Sequence, residues 1–220
     1  MGYVTLDVPL SDRRFGKVLH CPACGDRIAT EVRARAFESK RDRIARYSSV
    51  RADQTFETFS LAGVSPTIRE AHLAALRFAD EPRGWLVMHG GYGTGKTHLG
   101  NAVANRYPGL VLGLITPNLL ELLKSGFGSG DYEELLQLCL TVDVLILDDL
   151  GTESATPWAY EKLFQIINHR YNQILPTIFS YNGQVDDLDP RIASRMKDRS
   201  VSTICPMWGQ DYRVHGKESR

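Results

Sequence analysis

The segment at residues 90–97 reads GGYGTGKT and directly follows the apolar run WLVMH at 85–89. It matches G-x-x-x-x-G-K-[ST], with Gly90, Gly95, Lys96 and Thr97 at the fixed positions. Residues without side chains let successive backbone N–H groups turn inward around a phosphate at close range. A helix opening at Thr97 would add the positive end of its dipole. In such a loop the lysine reaches the β- and γ-phosphates and the Thr97 hydroxyl ligates Mg²⁺. The stretch predicts a site for a nucleoside triphosphate, with Gly90, Gly91, Tyr92, Gly93, Thr94, Gly95, Lys96, Thr97 and His98 as its binding residues.

Three further groups extend this chemistry. VDVLILDDLG ends an apolar run on Asp148 and Asp149. The first carboxylate is placed to hold the Mg²⁺ shell, and the second to orient or deprotonate an attacking water. FSYN at 179–182 puts the amide of Asn182 where it could touch the γ-phosphate or that water, or simply end a strand before Gly183. DPRIASRM sets Arg191 and Arg195 four residues apart on one helix face, where like charges repel unless an anion lies opposite. Asp187 and Asp198 are the ordinary partners for that pair; an arginine offered to a neighbouring subunit's γ-phosphate is the alternative.

These groups must be carried by strands and helices in alternation. Strands are expected at 85–89, 110–115, 142–147, 176–181 and 201–205. Helices are expected at 97–107, 117–124, 131–140, 156–172 and 189–198, with Thr116 capping the second of these. Upstream, Ser65 caps a helix opened by Pro66, QTFETFSL at 54–61 reads as extended, and residues 26–48 form a basic surface helix. Strands that are apolar throughout and alternate with helices imply a parallel sheet covered on both faces.

GGYGTGKTHL, VLILDDLG, PTIFSYN, RIASRM and DYR occur in this order. The set resembles the AAA+ ATPases of the DnaC/DnaI helicase-loader and IstB transposition-helper group, over about residues 50–213. The resemblance implies an α/β fold: a P-loop AAA+ core with a five-stranded parallel sheet between helices and no C-terminal lid domain, behind a small cysteine-containing N-terminal extension. It implies that Asn182 is the sensor residue and that Arg195 is an arginine finger acting in trans, so that hydrolysis requires assembly into a ring or filament. It further implies that the two helices at 117–140 resemble an insertion facing single-stranded DNA, with Lys124 and Phe127 as contacts through charge and stacking.

The remaining sequence divides as 1–50, 51–213 and a tail at 214–220. Net charge is zero over 220 residues, yet residues 1–51 hold 11 Lys/Arg against 6 Asp/Glu, and residues 131–190 hold 2 against 11. Separate surfaces for separate partners follow. CPAC offers Cys21 and Cys24 to Zn²⁺, half of a tetrahedral set. Loaders of this group place another pair before a GYV-like segment, and GYV here stands at 2–4, so this chain is expected to begin just past that pair. Cys139 and Cys205 fall in a predicted helix and strand and read as core. With no apolar run near the roughly 18 residues of a membrane span, the expectation is a cytoplasmic protein.

The expected function is ATP- and Mg²⁺-dependent loading or remodelling of the hexameric replicative helicase on single-stranded DNA, with the basic N-terminal part gripping the helicase. The competing expectations are an IstB-type helper ATPase on duplex DNA, a P-loop kinase of a small metabolite, and a nucleotide-gated adaptor that does not hydrolyse.

Overall fold

The computed structural model describes residues 25–151 and 156–212, preceded by residues 3–5, 9, 12, 15 and 18–20. The chain divides into two compact units, Met1–Arg46 and Tyr47–Arg220. In the first, β1 (Tyr3–Thr5) pairs antiparallel with β2 (Val18–His20), and α1 (Gly25–Ala45) is a 21-residue helix. Cys21 and Cys24 lie outside the described residues.

In the second unit α2 (Pro66–Asp80) leads into β3 (Trp85–Gly90), α3 (Lys96–Arg106), β4 (Val111–Ile115), α4 (Thr116–Ser125) and α5 (Gly130–Thr141). Then come β5 (Val144–Leu150), α6 (Pro157–Asn172), β6 (Thr177–Asn182), α7 (Pro190–Met196) and β7 (Ser202–Met207). The strands form one parallel sheet in the order β4-β5-β6-β3-β7. All six residues of β3 are buried, as expected for a strand covered on both faces.

One sheet face carries Leu86, Met88, Ile146 and Ile178 against Ile68, Ala71 and Ala75 of α2 and Leu99 and Val103 of α3. Opposite it, Trp85 meets Phe179 edge-on at 4.9 Å and Tyr171 of α6 at 5.6 Å. Cys139 and Cys205 are buried, and burial pushes the Cys139 thiol up to about 12, so both behave as core. Arg170 is wholly buried with no carboxylate in ion-pair contact among the described residues, although the charge of Asp143 favours its protonated form. Its guanidinium donates to Thr177 Oγ1 (2.8 Å) and to the carbonyls of Cys139 (3.0 Å), Val142 (3.2 Å) and Pro176 (2.7 Å). Burial lowers its pKa to about 10. It ties the end of α5 to the start of β6.

Ser65 caps α2 as expected, accepting from the Ile68 N–H at 3.4 Å. Three local expectations are corrected. Residues 54–61 form turns rather than a strand, because Thr55 and Thr58 bond to each other's backbone N–H groups instead of to a neighbouring strand. Thr116 is not a cap: it lies inside α4, and its buried hydroxyl donates to the Asp148 carbonyl at 2.9 Å. And β5 runs to Leu150, carrying both aspartates within the strand.

Candidate functional site

The turn from β3 to α3 forms the loop predicted from the glycines. Gly90 has φ 139, and an added Cβ would stand 2.2 Å from the Met207 carbonyl oxygen of β7, so a side chain would part the two strands. Gly95 caps α3 at φ 95, with the Phe59 ring 2.6 Å from its Cβ position. The buried Lys96 ammonium turns back into the loop and donates to the Gly91 carbonyl at 2.6 Å. Thr97 Oγ1 donates to Asp148 Oδ1 at 3.1 Å.

Between Leu147 and Leu150 the β5–β6 register advances three residues on β5 and two on β6, which is a bulge with one extra residue. Asp149 sits in it with φ 52. Consecutive residues of a regular strand face opposite sides, but the bulge lets Asp148 and Asp149 line the same cleft. Burial pushes the Asp148 carboxyl above its ordinary range, helped by repulsion from Asp149 and opposed by hydrogen bonds from Ser180 and Thr97.

The tip of β6 bridges these elements, because β6 lies between the strand of the loop and the strand of the acids. Ser180 is buried; its hydroxyl donates to Asp148 Oδ1 in a short hydrogen bond and accepts from the Asp149 N–H at 3.0 Å. Asn182 Nδ2 donates to Asp149 Oδ1 at 3.0 Å. Sequence reasoning passed over Ser180, although strand alternation from Asn182 places it on the same face.

A cleft of about 990 Å³ opens over the loop. Tyr92, Gly93, Thr94, Gly95, Lys96, Thr97, His98, Asp148, Asp149 and Asn182 line it, so the structure brings these predicted residues together. Gly91 adjoins through its carbonyl bonds to Thr94 and Lys96, while Gly90 is the strand residue beneath. His98 is engaged by the upstream segment: its Nε2–H donates to the Thr55 carbonyl at 2.8 Å, and its ring meets Phe59 edge-on. Phe59, Val64 and Ile68 supply an apolar wall suited to a flat base. Residues 208–212 cross the rim, where Ser65 Oγ donates to the Trp208 carbonyl (2.8 Å) and the Tyr212 N–H to the Gly93 carbonyl (3.1 Å). The upstream segment carries no motif, and DYR at 211–213 does not by its sequence say where it lies, which is why the sequence did not disclose that wall.

For Mg²⁺, the donors are hard oxygens, Thr97 Oγ1 and Asp148 Oδ1, already in contact and suited to that ion. No group of three or more His, Cys, Asp or Glu suited to a metal occurs among the described residues, and Cys21 and Cys24 lie outside them.

Arg195 does not line the cleft. Its expected partners are also corrected. Arg191 pairs with Asp189 at 3.1 Å rather than with Asp187, and Arg195 bonds Asn168 rather than Asp198, which accepts instead from Tyr171 and Ser200. Lys124 stands in the last turn of α4, and Phe127, 70% exposed, follows in the glycine-rich turn, edge-on to Tyr132; both are apart from the cleft.

A parallel α/β sheet with a phosphate loop on one strand, paired acids on another and a polar strand tip between them defines a P-loop nucleotide-binding protein of AAA+ architecture. The chain belongs to the IstB-like ATP binding protein family, whose model matches residues 25–219. It is 35% identical over 109 residues to the replicative helicase loader DnaI of Bacillus subtilis, across 47% of this chain and 34% of that one. It is 28% identical over 229 residues to an ATP-binding protein of a Mycobacterium tuberculosis insertion sequence, across 98% of this chain and 90% of that one. The chain spans about a third of the length of the DnaI and DnaA relatives it matches. Among solved structures, the DnaC helicase loader superposes with TM-score 0.61 at 25% identity, covering 70% of this chain and 97% of that one. DnaA bound to AMPPCP and single-stranded DNA shares the fold, with TM-score 0.66 at 18% identity over 78% of this chain and 56% of that one. No described helix is long and apolar enough to cross a membrane.

Proposed function

We propose that the chain hydrolyses ATP with Mg²⁺ in a self-assembled ring or filament, and uses the cycle to load or remodel the hexameric replicative helicase on single-stranded DNA. The observation that carries this reading is the division of the machinery. The loop, Asp148, Asp149 and Asn182 share one cleft, while Arg195 stands outside it, as an arginine that acts on the phosphate of a second copy would. Lys96 exchanges its contact with the Gly91 carbonyl for the β- and γ-phosphates. Thr97 and Asp148 would hold Mg²⁺, which when bound would supply positive charge beside the phosphates. Asp149, steadied by Asn182, orients the attacking water. Lys124 and Phe127 meet the nucleic acid, by charge and by stacking. Cys21 and Cys24 hold Zn²⁺ only with ligands from elsewhere.

A second reading, an IstB-type transposition helper on duplex DNA, is favoured by the insertion-sequence relative, which matches nearly the whole of both chains. One experiment separates the two. Size exclusion with light scattering is run on the protein with the replicative helicase of the same source, and separately with duplex DNA, in ATP and in ADP. A nucleotide-dependent helicase complex supports the loader. ATP-dependent assembly on duplex DNA without helicase binding supports the transposition helper. Lys96→Ala is the control and should abolish ATP binding; unchanged affinity refutes the phosphate-loop assignment.

A further inference from the structure

Arg195 projects from α7 onto α6, and its guanidinium is held on three sides. Its Nε and Nη2 donate to the single acceptor Asn168 Oδ1 at 3.1 and 2.7 Å, and Nη1 donates to the Arg191 carbonyl at 2.8 Å. The guanidinium carbon lies 4.8 Å from the Phe164 ring centroid and 5.5 Å from that of Tyr171. A guanidinium has five N–H donors. Three are committed here, all to neutral oxygens, which leaves one N–H on each terminal nitrogen. Each of these two N–H groups is left to donate to an incoming phosphate oxygen.

The neighbouring Arg191 shows the contrast. It lies over the same Phe164 ring at 4.5 Å, but Asp189 accepts from its Nε (3.1 Å) and Nη2 (3.2 Å), so its charge is compensated within the chain. The described residues give Arg195 no carboxylate. An amide at residue 168 orients the guanidinium as a carboxylate would, without cancelling its charge.

We propose that Asn168 is a positioning residue for Arg195: with Phe164 beneath, it presents an oriented, uncompensated guanidinium to the γ-phosphate held by a second copy of this chain. The proposal rests on the reading of Arg195 as acting in trans. An arginine held in one rotamer surrenders little side-chain freedom when the phosphate arrives, and releasing it costs turnover without touching nucleotide affinity.

The test is a mixed-subunit ATPase assay. One variant, Arg195→Ala, keeps an intact cleft. The other, Asp149→Asn, binds ATP, cannot turn over and supplies Arg195. Neither is active alone, and mixing restores turnover. The supplier is then also made Asn168→Ala or Asn168→Asp. Asn168→Ala is expected to lower kcat of the mixture by about tenfold at unchanged KM for ATP. Asn168→Asp keeps the acceptor and a melting temperature at least that of the parent, yet is expected to lower kcat as much, because it binds Arg195 as an ion pair. A purely structural role would be filled by either substitution that folds. If either doubly substituted supplier, mixed with Arg195→Ala, restores as much turnover as the supplier carrying only Asp149→Asn, the proposal is overturned while the trans reading stands. If the Asp149→Asn and Arg195→Ala mixture fails to recover activity, the trans reading falls and this inference falls with it.

Discussion

Asp148→Asn should stabilise the nucleotide-free protein while disabling it. Asp148 is 8% exposed, and both hydroxyls that reach it, from Thr97 and Ser180, donate to the same oxygen, Oδ1. Asparagine keeps that oxygen, so the substitution removes the charge without removing either hydrogen bond. What it removes is the burial penalty of the carboxylate and its repulsion from Asp149, the two causes that raise the Asp148 pKa. Each pKa unit of such a rise corresponds to about 1.4 kcal/mol of folded-state penalty, which the substitution relieves. The variant should therefore melt higher than the parent; for a chain of this size each kcal/mol regained is about 2–4 °C in Tm. The sign fixes the pH dependence. The folded-state pKa lies above the ordinary 3.8, so the penalty is complete above the folded value and fades as pH falls through it towards 3.8. Melting curves of both proteins from neutral pH down to about pH 4, without nucleotide, should show the advantage of Asp148→Asn shrinking on acidification. Adding ATP with Mg²⁺ should reverse the order, because a saturating ligand at 100 times its Kd stabilises the parent by about 2.7 kcal/mol and the variant loses the metal-dependent share. A lower Tm for the nucleotide-free variant at neutral pH, or an advantage constant with pH, refutes the reasoning.

Three other outcomes follow from the same geometry. Ser180→Ala removes a hydroxyl that links Asp148 Oδ1 to the Asp149 N–H; kcat should fall by roughly tenfold with ATP affinity nearly unchanged, measured by steady-state hydrolysis and equilibrium binding. Arg170→Met removes the guanidinium donor from the carbonyls of Cys139 and Val142 and one of the two donors to Pro176, which keeps the Leu145 N–H, and should lower stability by about 3 kcal/mol in urea unfolding; a loss under about 1 kcal/mol would mean that water replaces the guanidinium. Phe127→Ala together with Lys124→Ala should weaken single-stranded DNA binding by about 1–3 kcal/mol or more in a fluorescence anisotropy titration, with the melting temperature unchanged because Phe127 is 70% exposed.

Much of this protein was legible before folding, and for a local reason. Phosphate recognition by backbone amides needs glycines at fixed spacing within one turn, so GGYGTGKT states its own conformation. Unbroken apolar runs such as WLVMH announce strands covered on both faces, and each described strand and α-helix of the second unit occurs within a few residues of where periodicity places it, while a 3-10 turn at Val185–Asp187 was not foreseen. The misplaced extended segment at 54–61 failed because Thr55 and Thr58 satisfy each other locally, which hydrophobic alternation does not register.

What the tertiary structure alone decided is relative position. No local pattern says that β6 lies between β3 and β5, yet that order sets Ser180 and Asn182 between the phosphate loop and the acids. Nor does the pair of aspartates disclose a bulge: read as a regular strand, Asp148 and Asp149 face opposite sides, and only the extra residue between Leu147 and Leu150, with Asp149 at φ 52, brings both carboxylates to one cleft. The difference between Arg191 and Arg195 belongs here as well. In sequence they are two arginines four residues apart; in the fold one is compensated by Asp189 and the other is held by Asn168, 27 residues away. Sequence determines what short-range sterics and hydrophobic periodicity can dictate. Which charges remain uncompensated depends on long-range packing, and only the folded chain settles it.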